Sequence, residues 1–179
     1  MKVFDTNEVE SNIVQTLFMD ELTACCKQHF FFESGKQMLQ LALRNKVPLS
    51  LCVIEIDNFE NLNEKYGDIC GGELLKSIAD IIKRKSRKSD LLGRLGVKEF
   101  GLLTYNTSAI NAQIFLDLIR KEIEIHGYVF HGERIRETLS MGISLYSPMD
   151  DETLKPMYTR AKTALSRAKA KGKNCVVTY

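Results

Sequence analysis

Apolar positions recur along the chain with two periods. Val9, Ile13, Val14, Leu17, Phe18 and Leu22 fall at helical spacing, which predicts a helix over residues 7–28, with Asp20 and Thr23 placed to restart it. A second amphipathic helix is predicted over 30–46. The run VPLSLCVIEID (47–57) is apolar and β-branched without alternation, the pattern of a strand buried on both faces. FENLNEKYG (59–67) predicts a short helix ended by Gly67. GGELLKSIADIIKRKS (71–86) predicts a longer one, with Leu74, Leu75, Ile78, Ile81 and Ile82 on one face. DLLGRLG and KEFGLLTY read as a hairpin pair. A helix over 108–127, strands in YVFHG and over 135–147, a helix over 151–172 and a last strand in KNCVVTY complete the chain. Helices alternating with strands, some of them in hairpins, predict an α/β sandwich around a central mixed sheet. The hairpin turn RLGVKEF (94–100) is unusual, because β-branched Val97 stands where such turns favour positive φ.

Composition narrows the picture. The 179 residues suit one domain, read as a lead-in over 1–19 and a domain over 20–179. A net charge of +2 does not argue for bulk nucleic-acid binding, and no nucleic-acid partner is expected. The five cysteines (Cys25, Cys26, Cys52, Cys70, Cys175) show neither CxxC spacing nor a histidine at zinc spacing, so buried free thiols are expected and no metal site. No run reaches membrane-span length and MKVFDTNEVES lacks a signal-peptide core, so a cytoplasmic location without direct membrane insertion is expected. His29, His126 and His131 are isolated and carry no assigned chemistry.

Five motifs follow one another in a telling order: DELTACCKQHFF (20–31), VIEIDNFENLNEKYG (53–67), RKSDLLGRLGVKEFGLL (87–103), TLSMGIS (138–144) and RAKTALSRAKAKGKN (160–174). Together they resemble the GGDEF family, the diguanylate cyclases. The resemblance implies a nucleotidyl-cyclase palm-like fold, a central five-stranded mixed sheet wrapped by helices. It also implies the family's reaction, two GTP condensed to cyclic di-GMP across a dimer. That reaction relies on positioning and on metal ions held by carboxylates.

At several family positions the residues differ. In the signature turn Gly96, Glu99 and Phe100 match, but Val97 replaces a glycine that lets backbone approach phosphate. Lys98 replaces a metal-site acid, and an ammonium cannot ligate magnesium. In the D-x-D pattern of the preceding strand, Glu55 replaces the first aspartate and Asp57 matches the second. The extra methylene of Glu55 moves its carboxylate by about 1.5 Å. Asn63 matches a guanine-contacting asparagine, but the guanine-reading aspartate falls at Gly72 and a family lysine falls at Glu60. Lys169 and Lys173 match cations that meet phosphate, with Lys173 in place of arginine. These changes imply that GTP is no longer condensed. Glu55, Asp57 and Glu99 then read as plain solvated carboxylates, and the basic face of 160–173 as a solvated surface.

Arg87-Lys88-Ser89-Asp90 has the RxxD pattern and the spacing to Gly96 of the family's inhibitory site for cyclic di-GMP. A guanidinium can bond guanine O6 and N7 together, and a carboxylate can accept from N1 and N2. Lys83, Arg84, Lys85 and Lys88 crowd the same helix end, and Arg120 is a further candidate cation. The basic cluster reads equally as a solvated end complementing the helix dipole. The resemblance therefore implies a catalytically silent domain that binds cyclic di-GMP through Arg87 and Asp90 and signals to a protein partner or through a homodimer, with the stripe in residues 7–20 as the dimer candidate. Two alternatives stand beside it. One is a cyclase of weak residual activity, carried by Glu55, Asp57, Glu99, Asn63, Lys169 and Lys173 and needing Mg2+, the only cofactor in question. The other is a protein-interaction module without nucleotide. GTP binding without turnover is a weaker fourth reading.

Overall fold

The computed structural model describes residues 16–179. Six strands form one mixed sheet in the order β1-β3-β4-β2-β7-β8. They are β1 (Cys26–Lys27), β2 (Leu49–Ile56), β3 (Leu91–Arg94), β4 (Glu99–Tyr105), β7 (Leu139–Leu145) and β8 (Val176–Thr178). A separate two-stranded ribbon pairs β5 (Tyr128–Phe130) with β6 (Glu133–Ile135). The helices are α1 (Gln28–Asn45), α2 (Phe59–Tyr66), α3 (Asp68–Lys85), α4 (Ala109–His126) and α5 (Leu154–Ala170).

β2 lies between antiparallel β4 and β7, and every residue of it is buried, as its unalternating sequence predicts. The pleat divides its side chains by parity. Cys52, Ile54 and Ile56 join Phe100, Leu102, Met141 and Ile143 in a core capped by α2, α3 and α4. Leu49 and Leu51 face the opposite layer with Leu103, against Phe31 and Leu39 of α1 and Leu154 and Met157 of α5, while Val53 meets Ala161 and Leu165. Glu55 shares the parity of Leu51 and Val53, so the pleat aims its carboxylate at α5. α5 can lie that close because β7 carries Gly142. A Cβ there would stand 2.1 Å from the Ala161 carbonyl oxygen and 2.3 Å from the Leu165 nitrogen.

Three predicted features differ. The helix over 7–28 holds only at 16–18 of the described residues, and its first part, with most of the stripe in 7–20, lies outside them. Residues 20–25 form a turn instead. The Asp20 carboxylate accepts from the Thr23 amide (2.9 Å) and hydroxyl (2.6 Å), and Arg94 pairs with it at 3.1 Å. These local side-chain bonds compete with the helix and win. The predicted strand over 135–147 is two strands, β6 and β7, interrupted by 136–138. Two-residue β1 brings the sheet to six strands rather than five. The cysteines are free thiols, four of them buried. Among the described residues no helix is long and apolar enough to cross a membrane.

Candidate functional sites

The β3–β4 turn lies beside the end of β2. Glu55 and Glu99 are directly paired across the two strands, and the Ile56 amide donates to the Lys98 carbonyl at 3.2 Å. Arg94 clasps the turn, donating to the Gly96 carbonyl at 3.3 Å and the Val97 carbonyl at 2.9 Å. Neither Gly96 nor Val97 has a positive φ, which is how the turn accepts a β-branched residue. Val97 is 74% exposed.

Two adjacent carboxylates on one sheet face would repel each other. Lysines divide between them. Glu55 accepts from Lys169 Nζ at 2.6 Å and lies 3.2 Å from Lys98 Nζ. Burial pushes the Glu55 carboxyl upward, but the two ammoniums outweigh it and hold the group below its ordinary value. Glu99 accepts from the Tyr158 hydroxyl at 2.7 Å and from Lys162 Nζ. Burial and the Glu99 carboxylate together push the Tyr158 phenol up. Tyr158, Lys162 and Lys169 recur at helical spacing on the α5 face that Gly142 admits to the sheet. The solvated reading of Glu55, Asp57 and Glu99 is therefore overturned: all three are buried, at 6%, 3% and 8% exposure.

Lys98 reaches further. Its ammonium is 2.6 Å from Glu60 Oε1 and 2.7 Å from Oε2, as well as 3.2 Å from Glu55. Burial lowers its affinity for the proton, but Glu60 and Glu55 raise it more, so the charge is firmly held. Asp57 accepts from the Thr138 and Ser140 hydroxyls at 2.7 Å each and from the Asn174 amide at 3.1 Å. Lys173 donates to Asn58 Oδ1 at 2.5 Å from a loop where Gly172, Lys173 and Asn174 all have positive φ. Glu55, Asp57, Glu60, Lys98, Lys169 and Lys173 line a cavity of about 270 Å3. Glu137, beside Asp57, is pushed up to about 7, by burial first and then by the Asp57 charge, against a smaller pull from Lys173. Asn63 is outside that lining, and its Oδ1 is buried with no partner among the described residues. A Cβ at Gly72 would have only the Leu22 methyls within 4 Å, at 3.8 and 4.0 Å.

These groups do not fit a divalent ion. Magnesium needs oxygen ligands in a strict octahedron, and here two ammoniums share Glu55 Oε1 while hydroxyls and a backbone amide hold the Asp57 oxygens. Among the described residues no group of three or more histidine, cysteine or acidic side chains is placed to hold a metal.

The second site lies at the RxxD turn between α3 and β3. The Arg87 amide donates to Asp90 Oδ2 at 2.9 Å, and the Asp90 amide donates to the Arg87 carbonyl at 3.0 Å. The other Asp90 oxygen, Oδ1, is buried without a hydrogen-bond partner among the described residues. Lys85, Arg87, Asp90, Thr104, Thr107, Asn111 and Phe115 line a cavity of about 240 Å3 at this point. Of the cations crowding the helix end, Lys83 is tied to the Thr23 carbonyl at 2.6 Å and Lys85 to Glu122 at 2.6 Å. Arg120 is not brought here. It faces Asp117, Glu124 and Asn174 at 2.8 Å each, and lines another cavity with Ile110 and Ile114. On α4, Asn111 and Phe115 face the Arg87 cavity, whereas residues 110, 113, 114, 117 and 120 line the other one.

A mixed sheet whose central hairpin turn closes on the end of β2 is a nucleotidyl-cyclase-like palm. The family described as diguanylate cyclase, GGDEF domain, matches residues 17–175, and the chain belongs to it. Diguanylate cyclase A of Treponema denticola is 34% identical over 169 residues, covering 93% of this chain and 45% of that protein. The chain spans about half the length of curated relatives such as this one. The active GGEEF domain of a diguanylate cyclase from Vibrio cholerae is 27% identical with a TM-score of 0.80, over 86% of this chain and 97% of that one. The GGDEF domain of DgcB from Caulobacter crescentus, solved in complex with c-di-GMP, superposes with a TM-score of 0.85 over 90% of this chain and 93% of that one; at 23% identity this likeness speaks to the fold.

Proposed function

We propose that this domain binds cyclic di-GMP at Arg87 and Asp90 and does not condense GTP. The observation that carries the ligand reading is the Asp90 carboxylate. One oxygen closes the RxxD turn, while the other is buried, unpartnered and beside a cavity that Arg87 also lines. A buried anionic oxygen without a donor is costly, and a guanine N1–H or N2–H relieves that cost. The cavity has the liquid volume of about eight waters, room for one planar base with the remainder of a dinucleotide lying over the surface. Arg87, exposed and a lining residue, presents the planar fork that matches the opposite edge of guanine.

Silence at the signature turn is supported by the same kind of bookkeeping. Phosphoryl transfer draws its rate from cations fixed where charge develops. Here the Glu55 carboxylate that would help fix them is held through Oε1 by Lys98 and Lys169. Removing one such positioned interaction costs about 3–4 kcal/mol of transition-state stabilisation, and Val97 and Gly72 remove others. A second copy or a protein partner would receive the signal.

The test separates the two halves. Stripped protein is incubated with GTP and Mg2+ and the nucleotides are resolved by chromatography. Radiolabelled cyclic di-GMP retention is measured in parallel. Retention without product formation is expected. Product that disappears in E99A would restore a weak cyclase, and absence of both would leave an interaction module.

A further inference from the structure

Glu60 and Lys98 look in the sequence like two separate losses, a lysine become acid and an acid become lysine. In the structure they are one contact. Both Glu60 oxygens lie within 2.7 Å of the Lys98 ammonium, and both residues line the same cavity. The same ammonium reaches the buried Glu55 carboxylate, whose other partner is Lys169. We infer that the Lys98 ammonium is a tethered cation standing in for a divalent ion, and that with Glu60 it forms one pair of exchanged polarity that keeps this pocket closed to divalent metal.

The physical case has three parts. First, charge is conserved: Glu55, Asp57 and Glu60 are matched by Lys98, Lys169 and Lys173 around one cavity, so no excess negative potential remains to draw a cation in. Second, position favours the lysine. It sits on the turn one residue from Glu99, and the bond from the Ile56 amide to its own carbonyl fixes its backbone against β2. A tethered charge competes with a free ion without the entropy of association. Third, exposure is unequal. Lys98 and Glu55 are shielded, at 25% and 8% side-chain exposure, whereas Glu60 is at the rim at 65%. An acid at 98 alone would leave Glu55, Asp57, Glu60 and the new carboxylate around a cavity with two cations, Lys169 and Lys173. The pair therefore changes at low cost only if both members change together.

This inference deepens the catalytic-silence half of the proposed function and is independent of whether Arg87 and Asp90 hold a nucleotide. It is tested with Mn2+ alone, through the six-line electron paramagnetic resonance signal of the free ion, on wild type, E55Q, K98E, K98E/E55Q and E60K/K98E. Wild type is expected to leave the signal unchanged. K98E is expected to deplete it, binding Mn2+ at least about tenfold tighter, as an added carboxylate ligand and a removed like charge require. K98E/E55Q is expected to lose that binding. Depletion by wild type that E55Q abolishes would overturn the inference, as would a folded K98E that ignores Mn2+. Thermal melting in metal-free buffer guards against an unfolded single variant. E60K/K98E is expected to melt above K98E, and a double variant with no recovery would show that the two residues are not one unit.

Discussion

Replacing Asp90 by asparagine separates the ligand role of this residue from its structural one. The Arg87 amide needs only an oxygen acceptor at 2.9 Å, which the asparagine amide retains, so the turn is kept. What changes is the position of the unpartnered Oδ1. With the amide oxygen kept on the Arg87 amide, D90N places an NH2 donor there, which faces the N1–H and N2–H of guanine with no acceptor between them. A hydrogen bond to a charged group contributes about 1.5–3 kcal/mol. Affinity for cyclic di-GMP should therefore fall by about tenfold to a hundredfold. Stability should hardly move, because no buried bond of the free protein is lost. D90A makes the contrast. It loses the turn bond as well and should cost about 1 kcal/mol of folding free energy. Titration calorimetry reads the first effect and urea denaturation the second. If D90N bound cyclic di-GMP as tightly as wild type, the buried oxygen would have no part in recognition and the site assignment would fail.

Three further outcomes follow from the packing and the charges. G142A drives a methyl into the backbone of α5 and should cost about 3 kcal/mol, seen as a melting temperature lower by roughly 5–10 °C. S140A removes one of three donors to the buried Asp57 carboxylate and should destabilise by about 1.5–3 kcal/mol in urea. Glu137 gives a pH signature. Its folded value, about 7, lies above its ordinary 4.5, so the folded state holds the proton more tightly. The stability it contributes is present below pH 4.5 and is lost as pH rises through about 7. The group is only half-buried, which limits the effect to about 1 kcal/mol. The urea midpoint should fall between pH 5 and 8 in wild type and stay flatter in E137Q.

The elements with strong periods were legible in the sequence. β2 announced itself by an unbroken apolar run, and α3 by Leu74, Leu75, Ile78 and Ile82 on one buried face. The turn at 20–25 was not, because Asp20 and Thr23 suit a helix start and a local turn equally, and the distant Arg94 that also pairs with Asp20 is invisible in the local sequence. In the site, the identity of the altered residues could be read but not their pairing. Glu60 and Lys98 are 38 positions apart and meet only because β2 and the hairpin turn end together. Tyr158 and Lys162 were missed as partners of Glu99, since a basic helix reads as solvated until its neighbour is known. The spacing of Tyr158, Lys162 and Lys169 on one face was the available signal. Arg120 was a candidate from its place on the helix after the hairpin, whereas helical phase turns it towards Asn174 and outside the cavity that Arg87 lines.

The central claim is tested most directly by titrating cyclic di-GMP into protein stripped of bound nucleotide, with R87A as the paired variant and thermal melting to verify its fold. Saturable heat in wild type, absent or at least about tenfold weaker in R87A, is the expected result, since a bidentate guanidinium contact to guanine contributes about 1–3 kcal/mol. Equal heats in the two proteins, or none in wild type, would contradict it.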